Sequence, residues 1–195
     1  RSSRLAATLQ RMFARYALRT TDLDGARRFY ASVLGLDVPE GSAPGAMLEG
    51  WPLHERARAA GAPAHWLGQI AVGDLEASAN AFVGSGAERL GPTVSAPTGD
   101  AWATLRDPCG AVIALRQRRG EALGSPVAWH PLHTSDLGRS WSVYAEVAGW
   151  RDAGTLEATD PVGGFRLFTW SGAPVGSVAN TARWPGVHPH WLFCF

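Results

Sequence analysis

The sequence predicts an α+β fold in which repeated βαβββ units curve into cupped mixed sheets. Two repeated phrases predict it. Leu18–Gly35 reads LRTTDLDGARRFYASVLG, Leu132–Gly149 reads LHTSDLGRSWSVYAEVAG, and Ile70–Gly84 is a looser copy, IAVGDLEASANAFVG. A shorter phrase, Pro63-Ala64-His65-Trp66-Leu67, returns as Pro189-His190-Trp191-Leu192. In each long phrase an apolar run meets Asp-Leu and then a helical pattern; self-similarity of this kind is read before any single element. One unit cannot bury both its helix and its sheet faces. Two paired units can, and their concave face is a natural ligand cavity.

The elements follow in order. Phe13–Thr20 reads as a strand, closed by Asp22, whose carboxylate can accept from the first free N–H groups of a helix. Leu23, Ala26, Phe29, Tyr30, Val33 and Leu34 fall on one helical face, and Gly35 suits the left-handed position that ends it. In the second unit His65–Val72 is the strand and Asp74 the cap. Leu75, Ser78, Ala79, Phe82 and Val83 form the stripe, with Gly84 and Gly86 as the stop. Strands follow at Ala87–Leu90, Trp102–Arg106 and Ala111–Arg116, the last two joined by the turn Asp107-Pro108-Cys109-Gly110. The third unit starts at Val127. Asp136 caps a helix with Leu137, Trp141, Tyr144, Val147 and Ala148 inward, and Phe165–Trp170 and Val175–Ala179 are strands. The expected organisation is one domain of two units over 12–118, a linker at 119–126, and a partial second domain over 127–195. Arg1–Arg11 reads as a tail.

Two irregularities stand out. Between Val38 and Gly45 only Pro39-Glu40-Gly41-Ser42-Ala43-Pro44 fills the place of a strand, by natural deletion or by residues missing from the sequence. Leu192-Phe193-Cys194-Phe195 reads as the first strand of a fourth unit, which implies a longer native chain or pairing with another chain.

Composition limits function. The net charge of +1 over 195 residues gives no electrostatic case for nucleic acid or a membrane surface as partner. Two cysteines make no disulfide framework, and no apolar run nears a membrane span, so a cytoplasmic location is expected. Nine tryptophans supply large rigid apolar area for the core or for a flat ligand. Trp51, Trp66, Trp102, Trp129 and Trp170 are the candidate ligand-binding residues.

The run TTDLDGARRFYASVLGLDV and the turn DPCGAVIAL resemble the glyoxalase, bleomycin-resistance and extradiol-dioxygenase superfamily, the vicinal oxygen chelate proteins. PAHWLGQIAVGDLE looks like a narrower two-domain branch labelled hydroxylase-like or glyoxalase-like in antibiotic pathways. The resemblance covers Phe13–Arg118 and, as half of a second domain, Val127–Phe195. It implies the glyoxalase-like fold and, in metal-using relatives, a divalent ion held by a His or Glu on the first strand of each unit and a Glu on its last strand. The first-strand positions, seven residues before each capping Asp, are here Arg15, Leu67 and Trp129. The last-strand position aligns with Ala114. None offers a usable donor atom, so no metal and no other cofactor is expected.

The histidines give no substitute chelate. His130 and His133 point to opposite strand faces. His188 and His190 share a face but lack a nearby carboxylate. The matched His65 and His190 read as structural, each ring bonding a backbone carbonyl. Gly-x-Ser-x-Gly is absent, and Cys109 beside Asp107 is a poor thiolate. Neither a phosphate-binding glycine loop nor a dinucleotide fingerprint occurs. For acid–base chemistry the candidates are Tyr16, Glu49 and His54, the last on a short helix expected to lid the cavity. The function expected is metal-independent binding of a bulky aromatic or polyketide-like secondary metabolite, with tailoring by hydroxylation, cyclisation or isomerisation left open. The alternatives are a non-catalytic antibiotic-sequestering protein and a divalent-metal-dependent dioxygenase or lyase. A homodimer is left open.

Overall fold

The computed structural model describes residues 13–43, 45–96, 99–117, 124–158 and 163–195. The tail at 1–11 and residues 119–123 of the expected linker lie outside them. Strand β1 (Phe13–Thr20), helix α1 (Leu23–Leu34) and strand β2 (Leu48–Pro52) make the first unit. Helix α2 (Glu55–Ala59) leads to the second: β3 (His65–Val72), α3 (Leu75–Gly84), β4 (Glu88–Arg89), β5 (Val94–Ser95), β6 (Ala101–Arg106) and β7 (Val112–Gln117). The third holds β8 (His130–His133), α4 (Leu137–Val147), β9 (Arg151–Leu156), β10 (Phe165–Thr169) and β11 (Gly176–Ala179). A 3₁₀ turn at Asn180–Arg183 then leads to β12 (His190–Trp191). Asp22, Asp74 and Asp136 each accept a backbone N–H three residues on, as the repeated Asp-Leu predicts. Among the described residues no helix is long and apolar enough to cross a membrane.

Units one and two share one sheet, ordered β2-β1-β3-β7-β6-β4 with β5 on β6; the other sheet runs β12-β8-β11-β10-β9. The register repeats with the sequence. Leu18 faces Trp66 across the antiparallel β1–β3 pair, and Leu132 faces Trp191 across β8–β12. The parallel pair β1–β2, with Tyr16 opposite Leu48, likewise matches β8–β11, with His130 opposite Gly176. Strand β2 is therefore the counterpart of β11, the last strand of its unit. Unit one passes directly from its helix to that last strand, which is the physical form of the short Val38–Gly45 interval. Strand β9 was not legible in the sequence; it is largely exposed and lacks an apolar alternation.

Alternation along the strands divides the larger sheet. Tyr16, Leu18, Ile70, Leu105, Ile113 and Leu115 face the helices and join a core that continues through both sheets. Rings seal the junction, where Phe13 of β1 stacks on His130 of β8 at 4.5 Å; within the third unit Trp150 stacks on Phe168 at 3.9 Å. Asp107, buried in the β6–β7 turn, accepts from Cys109 N, Ala111 N and the Tyr144 hydroxyl of α4. Phe82 of α3 packs edge-on against that same tyrosine at 5.4 Å. Helix α1 differs from its repeat. Val143 and Val147 are buried on α4, but their equivalents Phe29 and Val33 are 55% and 59% exposed, because no described element packs on that side of α1 as α3 packs on α4.

The Tyr16 hydroxyl lies 2.6 Å from His130 Nε2, and His130 Nδ1 lies 2.7 Å from the Val175 carbonyl. A carbonyl only accepts, so Nδ1 carries the proton and Nε2 accepts from Tyr16. Burial holds the His130 imidazole down at about 4, against 6.5 for a free histidine. The unfolded chain therefore takes up this proton first. The stability that neutral His130 confers is complete above pH 6.5 and is lost as the pH falls toward 4, by roughly 3 kcal/mol. Urea denaturation at a series of pH values is expected to show this loss, and His130→Phe is expected to lack that component of the slope.

Candidate functional site

The face of the larger sheet turned away from the helices is the candidate site. Odd-numbered residues of β1, β2 and β3 point there: Arg15, Ala17 and Arg19, then Glu49 and Trp51, then Leu67 and Gln69. Trp102 of β6 and Ala114 and Arg116 of β7 complete it. Ala17, Leu67, Trp102 and Ala114 form a small apolar cluster separate from the main core, with Trp51 packed against it. The Trp51 and Trp102 rings lie 5.9 Å apart at 51°.

Beside this cluster sits a buried polar network. Gln69 Nε2 donates to Glu49 Oε1 at 2.5 Å, and Arg116 Nη1 donates to Gln69 Oε1 at 2.6 Å, which fixes the orientation of the amide. Arg116 also pairs with Asp100 at 2.7 Å and donates to Ser42 Oγ at 2.9 Å. Arg15 lies 3.6 Å from both Glu49 and Asp100 and donates to the Ala43 carbonyl at 2.8 Å. Glu49 has no solvent exposure, and among the described residues its Oε2 accepts no hydrogen bond. Burial and the neighbouring Arg116 lower the Arg15 pKa, which Glu49 and Asp100 partly offset.

Local chain geometry places the residues that cover this network. Gly50 donates to the Pro39 carbonyl at 2.7 Å, and Gly41 donates to the Gly50 carbonyl at 2.8 Å. A Cβ on Gly50 would come within 2.5 Å of Leu23 Cδ1. Glycine there lets the 39–41 segment lie along β2 while α1 stays packed on the other side. That strap delivers Ser42 and Ala43 onto the arginines.

The structure separates the residues named for acid–base chemistry. Glu49 is in the cup. Tyr16, one position from Arg15, points to the opposite face, where burial pushes its hydroxyl pKa up. His54 is exposed and caps α2, accepting from Arg56 N at 3.2 Å. The tryptophans also divide. Trp51 and Trp102 share the cup. Trp66 donates to the Tyr30 hydroxyl at 2.8 Å and lines a separate groove of about 410 Å³ with Phe29, Tyr30 and His65. Trp129 lies on the smaller sheet and donates to Ser177 at 3.3 Å. Trp170 is buried and donates to the Ala148 carbonyl at 2.7 Å, placing it in the core. Gln69, Asp100 and Arg116 join the site without being among the candidates named from the sequence. The polarity of Gln69 and Arg116 at inward strand positions is the available signal; Asp100 lies just before β6.

The ligand positions implied by the resemblance can now be located. Ala17 pairs with Glu49 in β1–β2 as Gln69 pairs with Ala114 in β3–β7, so Glu49 holds the last-strand position of unit one. One acid of that set is thus present, but Arg15, Leu67 and Ala114 occupy the other places. A permanent guanidinium beside the one carboxylate does not fit a divalent cation. Among the described residues no group of three or more His, Cys, Asp or Glu is arranged to hold a metal. His65 and His190 each bond a backbone carbonyl two residues earlier, as their repeat predicts.

No protein-family model and no curated protein matches the sequence. Solved structures do. A Mn(II)-bound glyoxalase from Novosphingobium aromaticivorans superposes with a TM-score of 0.60 at 14% identity, covering 85% of this chain and 60% of that one. The fold is glyoxalase-like. A halotolerant catechol dioxygenase gives 0.58 at 14% identity over 88% of this chain and 65% of its own. Homoprotocatechuate 2,3-dioxygenase from Arthrobacter globiformis gives 0.56 at 19% over 86% and 58%. The chain therefore spans less than two thirds of the length of these structures.

Glu49→Gln is expected to lower stability by about 3 kcal/mol in urea denaturation, because it leaves two buried guanidinium groups facing Asp100 alone. Replacing Arg15 by Met and Glu49 by Leu together removes both charges and is expected to recover most of that loss.

Proposed function

We propose that the chain binds a flat aromatic metabolite in the cup of its larger sheet, without a metal ion. The observation that carries this reading is the Arg15–Glu49–Gln69–Arg116 network, which stands where a chelate would be and lies beside the Trp51–Trp102 pair. Trp51, half-buried and backed by the buried Trp102, supplies a rigid apolar surface for a ring system. With Asp100, the network supplies a fixed, charge-balanced wall. The metal-dependent dioxygenase or lyase reading has no support in this donor set.

Between tailoring and sequestration, the geometry favours binding. Glu49, the one acid candidate inside the cup, already faces two arginines and has no titratable partner to relay a proton. Tyr16 and His54 lie elsewhere. A bulky aromatic or polyketide-like metabolite, held and shielded rather than transformed, is the ligand this arrangement suits. Two unpaired cysteines fit a reducing, cytoplasmic setting for it.

The test is calorimetric titration of EDTA-treated protein with 9,10-anthraquinone-2-carboxamide. Saturable one-to-one binding is expected, with Trp51→Ala and Trp102→Ala each weakening it by roughly tenfold. Binding that appears only after a divalent metal is added, or that ignores both substitutions, overturns the reading.

A further inference from the structure

We propose that the ligand of this cup is an aromatic carboxylate, and that Arg19 at the rim of the cup pairs with its carboxylate. The inference rests on the reading above and names the ligand's charge.

The argument begins with charge balance. Three guanidinium groups, Arg15, Arg19 and Arg116, share this face with two carboxylates, Glu49 and Asp100, and every ion pair between them uses Arg15 or Arg116. Among the described residues the Arg19 side chain has no ion pair and no hydrogen bond. Its one contact of this kind is with Trp51, whose ring centroid lies 5.4 Å from the guanidinium carbon. Arg19 is nevertheless half-buried, and burial lowers its pKa while Glu49 alone acts against that. A cation partly stripped of water and left without an anion carries an uncompensated cost.

Trp51 adds a second unmet need. Its indole Nε1 is buried and has no acceptor among the described residues. Two donor groups in contact with each other, on opposite-strand residues in register, both lack an acceptor. Stacking occupies the face of a guanidinium and leaves its in-plane N–H groups free, and that planar fork matches a carboxylate through two parallel bonds. A ring resting on Trp51 would bring a carboxylate on its edge toward Arg19. Neither a neutral ring nor a cation would satisfy the guanidinium.

Calorimetric titration with matched ligands tests this. The probes are 9,10-anthraquinone-2-carboxylate and its 2-carboxamide at neutral pH, against the wild-type chain, Arg19→Gln and Arg19→Lys. The carboxylate is expected to bind on the order of tenfold or more tightly than the carboxamide. Arg19→Gln is expected to erase that difference by weakening carboxylate binding, and to leave the thermal unfolding temperature at or above that of the wild-type chain, since it removes an unpaired, partly desolvated cation. Arg19→Lys, which keeps the charge and loses the fork, is expected to retain part of it. Equal binding of the two probes by the wild-type chain overturns the inference and leaves the aromatic site standing, as does a preference that survives Arg19→Gln. If neither probe binds, the aromatic site itself is overturned and this inference with it.

Discussion

A carboxylate with no access to water must be matched by charge and hydrogen bonds in place, and the matching of Glu49 organises the functional face of this protein. Arg15 comes from the first strand of unit one, Arg116 from the last strand of unit two, and Gln69 from the strand between them. Glu49 holds all three to one spot. Because these strands belong to two units, the network also ties the units together across the centre of the sheet. The strap at 39–41 and the segment reaching Asp100 are drawn over it by hydrogen bonds to the same arginines.

Charge balance of this kind differs from a chelate in what it permits. A metal centre keeps open positions and polarises whatever enters them. Paired side chains have their charges matched and offer a shaped, rigid boundary instead. The chemistry left to the cup then lies at its edge, where the half-buried Trp51 and Arg19 have surface and donors still free. On the helix side, the rings that join the two sheets and the Asp107–Tyr144 bond hold the units in fixed relation. The cup is thereby carried on a rigid support.

The repeats made most of the architecture legible. Each Asp-Leu phrase predicted a capped helix, and each appeared with its carboxylate on the N–H three residues on. The paired His-Trp phrases predicted matched strands, which align in the same register in both sheets. Less legible were β2 and β9. Each is short or exposed, and neither has the period-two alternation by which a half-buried strand is recognised. Missing β2 as a strand also concealed that Glu49 holds a last-strand position.

The amino-acid sequence alone determined the unit, its caps and its turns, because these depend on residue type and local spacing. Tertiary structure decided which side chains meet. Tyr16 and Arg15 are chain neighbours on opposite faces of one sheet, while Arg15 and Arg116 are 101 positions apart in number and converge on a single carboxylate. A strand's alternation tells which residues share a face. Only the pairing of strands from different units tells which of those faces is built around a common charge.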